Sequence, residues 1–159
     1  MPRKACGLVW IALTLAAPAA AAEPPPVSWR HDYAAARQEA AATNRPLALY
    51  FTTTNCPWCR KMQAGPLRDP AVVAALNADF IPLKVEGDLL NYLAGPLQIG
   101  GFPTSVLASP EGRVLEVLDG YQDAAAVRDH LRRAAAAVAA GRTRPADGVQ
   151  PASYPGPNR

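Results

Sequence analysis

The feature that most constrains this chain is Cys56-Pro57-Trp58-Cys59, placed between two segments of different character. Ahead of it runs Leu47 to Thr53 (LALYFTT), apolar, aromatic and β-branched, which predicts a buried strand. From Cys56 to Ala64 the residues suit a helix with Pro57 at its first position, where a missing N–H has no helical acceptor to lose. The i, i+3 spacing puts both sulfurs on one side of a helical turn, close enough to bridge. The first cysteine lies where free backbone N–H groups and the positive end of the helix dipole converge. Both favour thiolate over thiol, so its pKa is expected below the ordinary cysteine value. Attack by that thiolate gives a mixed disulfide, which the second cysteine resolves.

The rest of the chain supplies a frame for this motif. Asp32 can cap a helix over Tyr33 to Thr43, ended by Asn44-Arg45-Pro46. Asp69-Pro70 is a second start signal, followed by an apolar helical face of Val72, Val73, Leu76 and Phe80. Phe80 to Val85 is the next predicted strand, with Pro82 marking an edge or a bulge. A short helix is expected over Asp88 to Leu97, and Gly100-Gly101-Phe102-Pro103 is a turn cluster. Thr104 to Ala108 and Arg113 to Leu118 read as strands around Pro110-Glu111-Gly112, a hairpin signal. Asp123 then caps a last helix running to about Ala140, and Gly141 stops it. The order α-β-α-α-β-α-β-β-α predicts an α/β fold, a central mixed β-sheet flanked by helices on both faces. A length of 159 residues accommodates one such domain with its extensions.

The ends read as extensions. Arg3 and Lys4, the apolar stretch Cys6 to Ala17, and the alanines before Glu23 have the layout of a signal peptide over residues 1–22. Export through it places the protein in the periplasm, an oxidising compartment where Cys56 and Cys59 are the remaining cysteines. Residues 23–29 form a Pro-rich leader, residues 30–140 the domain, and residues 141–159 a Pro-rich tail expected to be disordered. Without Arg3 and Lys4 the formal charge of +3 becomes nearly neutral, and no basic run occurs, so nucleic acid is excluded as a partner class. Three Cys are too few for a disulfide framework.

Other uses of the cysteine pair fit the sequence less well. A structural disulfide closing so short a loop removes little chain entropy. A zinc site needs four ligands, and only His31 and His130 are available beyond the cysteines, so no metal ligand is assigned. Haem attachment needs His after the second cysteine, where Arg60 stands.

The runs LALYFTTTNCPWCRKM, FIPLKVEGD and IGGFPTSVLASPEGRVLEVLDGY resemble the thioredoxin superfamily, and most of all its exported bacterial members. The resemblance covers about residues 30–140. It implies a thioredoxin fold and an exported thiol–disulfide oxidoreductase needing no cofactor beyond the Cys56–Cys59 redox pair. It implies that Cys56 is the exposed nucleophile and Cys59 the buried resolving thiol. It implies further that Pro103 is cis and lies against the disulfide, while Phe102 backbone groups pair with substrate. Pro57 and Trp58 form the active-site dipeptide, similar to that of glutaredoxins and some periplasmic exchange proteins. Partners are then proteins with thiols or disulfides and a membrane-linked electron donor, with the protein itself a monomer and the reductase direction favoured. The sequence also departs from the family. Tyr50 stands where thioredoxins carry a buried Asp, Lys84 matches that Asp's partner, and Glu86 is the nearest substitute acid. Arg60 and Lys61 are candidates to stabilise the thiolate, while His31, His130, Trp29 and Tyr121 receive no role. The competing reading is a non-catalytic thioredoxin-like binding module or metal carrier.

Overall fold

Helix α1, Tyr33–Thr43, begins where Asp32 accepts a hydrogen bond from the Ala35 N–H and ends at Asn44 in the left-handed region. The computed structural model describes residues 25–141; the expected signal peptide over residues 1–22, the first two residues of the expected leader and the expected tail over residues 142–159 lie outside the described residues. After α1 come strand β1 (Leu47–Phe51), helix α2 (Pro57–Ala64), a 3-10 turn (Pro66–Arg68), helix α3 (Pro70–Asp79) and strand β2 (Ile81–Val85). Helix α4 (Gly87–Leu93), the hairpin β3 (Thr104–Ala108) and β4 (Val114–Asp119), and helix α5 (Ala124–Ala139) complete the fold.

The four strands lie in the order β2-β1-β3-β4. β1 runs parallel to β2 and antiparallel to β3, so the sheet is mixed, as the element order implied. All five residues of β1 are buried, which suits an apolar run covered on both faces. On one face Leu47, Leu49 and Phe51 join Ile81, Leu83 and Val85 beneath Ala36 and Ala40 of α1 and Leu93 of α4. On the other, Ala48 and Tyr50 pack with Met62 of α2, Val72 and Leu76 of α3, and Leu131 of α5.

Pro82 sits on the edge strand. Its carbonyl accepts from the Arg30 N–H at 2.8 Å on the side away from β1, so its missing N–H also faces outward and no ladder bond is lost. The segment read as a leader joins the fold here. Val27 is buried, and Asn77 of α3 holds the backbone of Ser28 and Pro26 at 2.8 and 3.1 Å.

Two elements end earlier than the sequence suggests. Helix α4 stops at Leu93 rather than Leu97, because Pro96 disfavours helical backbone just before it. β1 ends at Phe51, leaving Thr52 and Thr53 to lead into the motif.

Candidate active site

The loop leaving the C-terminal end of β1 delivers Cys56 to the N-cap of α2. Its backbone is extended, and its Sγ accepts a hydrogen bond from the Cys59 N–H at 3.0 Å. Pro57 is the first helical residue, and the Arg60 N–H closes the turn onto the Cys56 carbonyl at 3.1 Å. The two sulfurs are joined as a disulfide, with Cα atoms 5.2 Å apart. The pair is unequal but not open: Cys56 keeps 8% of its surface accessible and Cys59 1%. An openly exposed first cysteine is therefore corrected to a nearly covered one that is still the more accessible of the two.

Phe102 and Pro103 lie at the same end of the sheet. Phe51 pairs with Thr104, so the start of β3 is beside the end of β1 from which the cysteine loop springs. The Phe102–Pro103 peptide is cis, Pro103 is buried, and its carbonyl accepts from the Gly120 N–H at 2.8 Å.

Beneath the motif, Tyr50 is almost fully buried and donates its hydroxyl to the Cys59 carbonyl at 3.1 Å. Burial pushes its phenol above the ordinary tyrosine value, with hydrogen bonds to Gln63 and Thr52 acting the other way. Lys84 pairs in register with Tyr50 and shares its face of the sheet. Tyr50, Gln63 and Lys84, with Trp29 and Val27, line a cavity of about 560 Å³. Glu86 stays outside it, half-exposed and paired with Lys84 at 3.0 Å. It is a solvated charge, not a substitute for the buried acid. His130 is engaged by Glu116 at 2.7 Å, and His31 is exposed. Among the described residues no three His, Cys, Asp or Glu side chains are grouped to hold a metal ion.

The family described as a thioredoxin-like domain matches residues 33–135. The chain belongs to this thioredoxin-like family. Among solved structures, a thioredoxin from Thermus thermophilus is 28% identical with a TM-score of 0.66, over 74% of this chain and 93% of that one. DsbH oxidoreductase is 20% identical with a TM-score of 0.62, over 78% and 94% of the two chains. The reduced C-terminal domain of DsbD from Neisseria meningitidis is 22% identical with a TM-score of 0.54, over 63% and 90%. No curated protein matches the chain. With its Cys-x-x-Cys pair closed as a disulfide at the head of α2, this thioredoxin-like protein is a thiol–disulfide oxidoreductase carrying its redox group in its own chain.

One part of the thioredoxin-like site escaped the sequence. Trp58 is 56% exposed and its ring lies 6.0 Å from that of Tyr121. The Lys61 ammonium sits over both rings, 5.0 Å from the Trp58 centroid and 4.6 Å from that of Tyr121. Lys61 thus lies over the rings of Trp58 and Tyr121 on the exposed side of α2. Tyr121 follows β4 and lies far from the motif in the chain, so no spacing could link them. The usable signal was the turn Gly120, whose positive φ re-aims the chain after β4.

Proposed function

We propose that this protein is an exported, periplasmic reductase of protein disulfides, with Cys56 as nucleophile and Cys59 as resolving thiol. The observation that carries the role assignment is the position of Cys56 at the N-cap of α2, its Sγ already accepting the Cys59 N–H at 3.0 Å. A thiolate formed there keeps that hydrogen bond and meets the helix dipole. It attacks one sulfur of a substrate disulfide and releases the other substrate sulfur as a thiolate, which takes up a proton. Cys59 then gives up its proton and attacks the mixed disulfide, re-forming Cys56–Cys59 and releasing the second substrate thiol. Two electrons pass from the protein to the substrate, and the Cys59 proton with one from solvent completes the two substrate thiols. A dithiol donor linked to the membrane restores the reduced pair. Phe102 and Pro103 present backbone to the substrate strand in the manner of β-strand addition.

What surrounds the thiolate supports the reductase direction. Nothing charged stands between the cysteines, and Lys61 is held over the rings of Trp58 and Tyr121. The reduced form is thus stabilised mainly by the helix terminus, with the exposed Arg60 and Lys61 screened by solvent, which favours a potential of roughly −250 to −170 mV. Export rests on the Arg3-Lys4, apolar and small-residue pattern of residues 1–22, with residues 142–159 as a tail. Insulin reduction driven by dithiothreitol, and equilibration against a glutathione buffer, test this. Turnover lost in Cys56→Ser and a potential inside that window are expected. A potential above about −140 mV would make the protein a disulfide donor instead.

A further inference from the structure

Building on that disulfide-reductase reading, we propose that the cluster of Trp58, Lys61 and Tyr121 is the substrate docking surface, and that it selects cysteines flanked by acidic residues. Trp58 belongs to the motif itself and is the most exposed large hydrophobic side chain among the described residues. An aromatic ring left in water beside a reactive pair offers area to any chain that docks there. The ring does not stand alone. Tyr121 is tilted against it at 48°, and the Lys61 ammonium bridges both ring faces, so a two-ring platform carries one positive charge at its centre.

That charge is unmatched. Among the described residues no carboxylate forms an ion pair with Lys61 or with exposed Arg60, nor with Arg37 and Arg68, whereas Arg30, Arg45, Lys84, Arg113, Arg128, Arg132 and Arg133 all have one. Asp119 and Asp123 flank Tyr121 in the chain but are engaged elsewhere. Asp119 accepts from the Thr104 hydroxyl at 3.3 Å, and Asp123 caps α5 through the Ala126 N–H at 2.8 Å. A segment laid over the rings to bring its disulfide to Cys56 passes beside two unpaired cations. An acidic side chain next to the attacked cysteine gains an ion pair there, and a basic one meets repulsion. The rings supply contact area whatever the sequence, while Lys61 and Arg60 set the preferred sign. The electrons move as in the exchange already written; the surface only orients the substrate.

The test uses two peptides with the same internal disulfide, one with Asp and Glu beside each cysteine and one with Lys. Rates of reduction by the pre-reduced protein are divided by the rates with free dithiothreitol, which removes the intrinsic effect of the flanking charges. At low ionic strength the normalised acidic-to-basic ratio should be about five to ten, and it should fall towards one in 1 M salt, where screening shortens to about 3 Å. Lys61→Gln should lower the ratio and Lys61→Glu should bring it below one. Because the ratio is taken within each variant, a general loss of activity does not affect it. Reduction of both peptides with a normalised ratio of one, or a ratio unmoved by Lys61→Glu, would overturn the docking surface alone. Failure to reduce either peptide would overturn the reductase reading and this inference with it.

Discussion

Tyr50→Phe removes the hydroxyl and leaves the ring. The ring stays, packed 5.8 Å from that of Trp29 and 2% exposed, so no cavity opens. What is lost is the donation to the Cys59 carbonyl at 3.1 Å, while Gln63 and Thr52, which also meet the hydroxyl, keep their own hydrogen bond at 3.3 Å. Cys59 lies inside α2, so its carbonyl keeps its role in the helical ladder and is not orphaned. The cost is therefore that of one buried neutral hydrogen bond, about 0.5–1.5 kcal/mol. In a domain of this size that lowers the melting temperature by about 2–6 °C. The hydroxyl meets a backbone carbonyl and not a sulfur, so the oxidised and reduced proteins should lose stability alike, and the potential should move by less than about 15 mV. Urea titration of both redox forms at neutral pH measures this. The alkaline limb adds a signature. Burial raises the folded Tyr50 pKa above the unfolded value of about 10, so this group's contribution is complete below that pH and is lost as pH climbs through the folded value. The Phe variant should lack that part of the decline. Unchanged stability, or a potential shifted by more than about 30 mV, would show that the hydroxyl does something other than brace α2.

Two further perturbations probe the frame and its charges. Leu83→Ala, at a fully buried position of β2 facing α1, should cost about 2–5 kcal/mol, read as a lower urea midpoint with both cysteines still able to bridge. On acidification the protein should lose stability as pH falls through the carboxylate range. Glu39 is held low by Arg30, Asp69 by the Val72 and Ala71 amides with Arg128, and Glu111 by the Ser109 hydroxyl. Each binds its proton more weakly folded than unfolded, so their support is present above about pH 4.5 and disappears below it. A melting temperature that stays flat from pH 6 to pH 3 would contradict this.

The parts of the fold legible in the sequence were those with a local physical cause. Asp32, Asp69 and Asp123 each cap the helix they were read to start, because the capping bond lies within the first turn. The β1 run could be read as a strand because a short apolar β-branched and aromatic segment has few other uses. The 3-10 turn at Pro66–Arg68 carried no distinct pattern, and α4 was overextended because its apolar residues continue past the point where Pro96 ends the helix. At the site, the cysteine pair, Pro57 and Trp58 were visible as a contiguous motif. Tyr121 was not, since its place beside Trp58 depends on how β4 turns at Gly120. The packing of Val27 and Trp29 was hidden for a similar reason: Asn77 secures the segment from 49 or more residues away.

The central claim is that Cys56 attacks and Cys59 resolves. The most direct measurement is competitive alkylation of the fully reduced protein with limiting iodoacetamide at neutral pH, followed by mass mapping of the labelled cysteine. Cys56, at the N-cap of α2 and with 8% of its surface accessible against 1% for Cys59, should take nearly all of the first label. Equal labelling of the two, or labelling that starts at Cys59, would contradict the assignment.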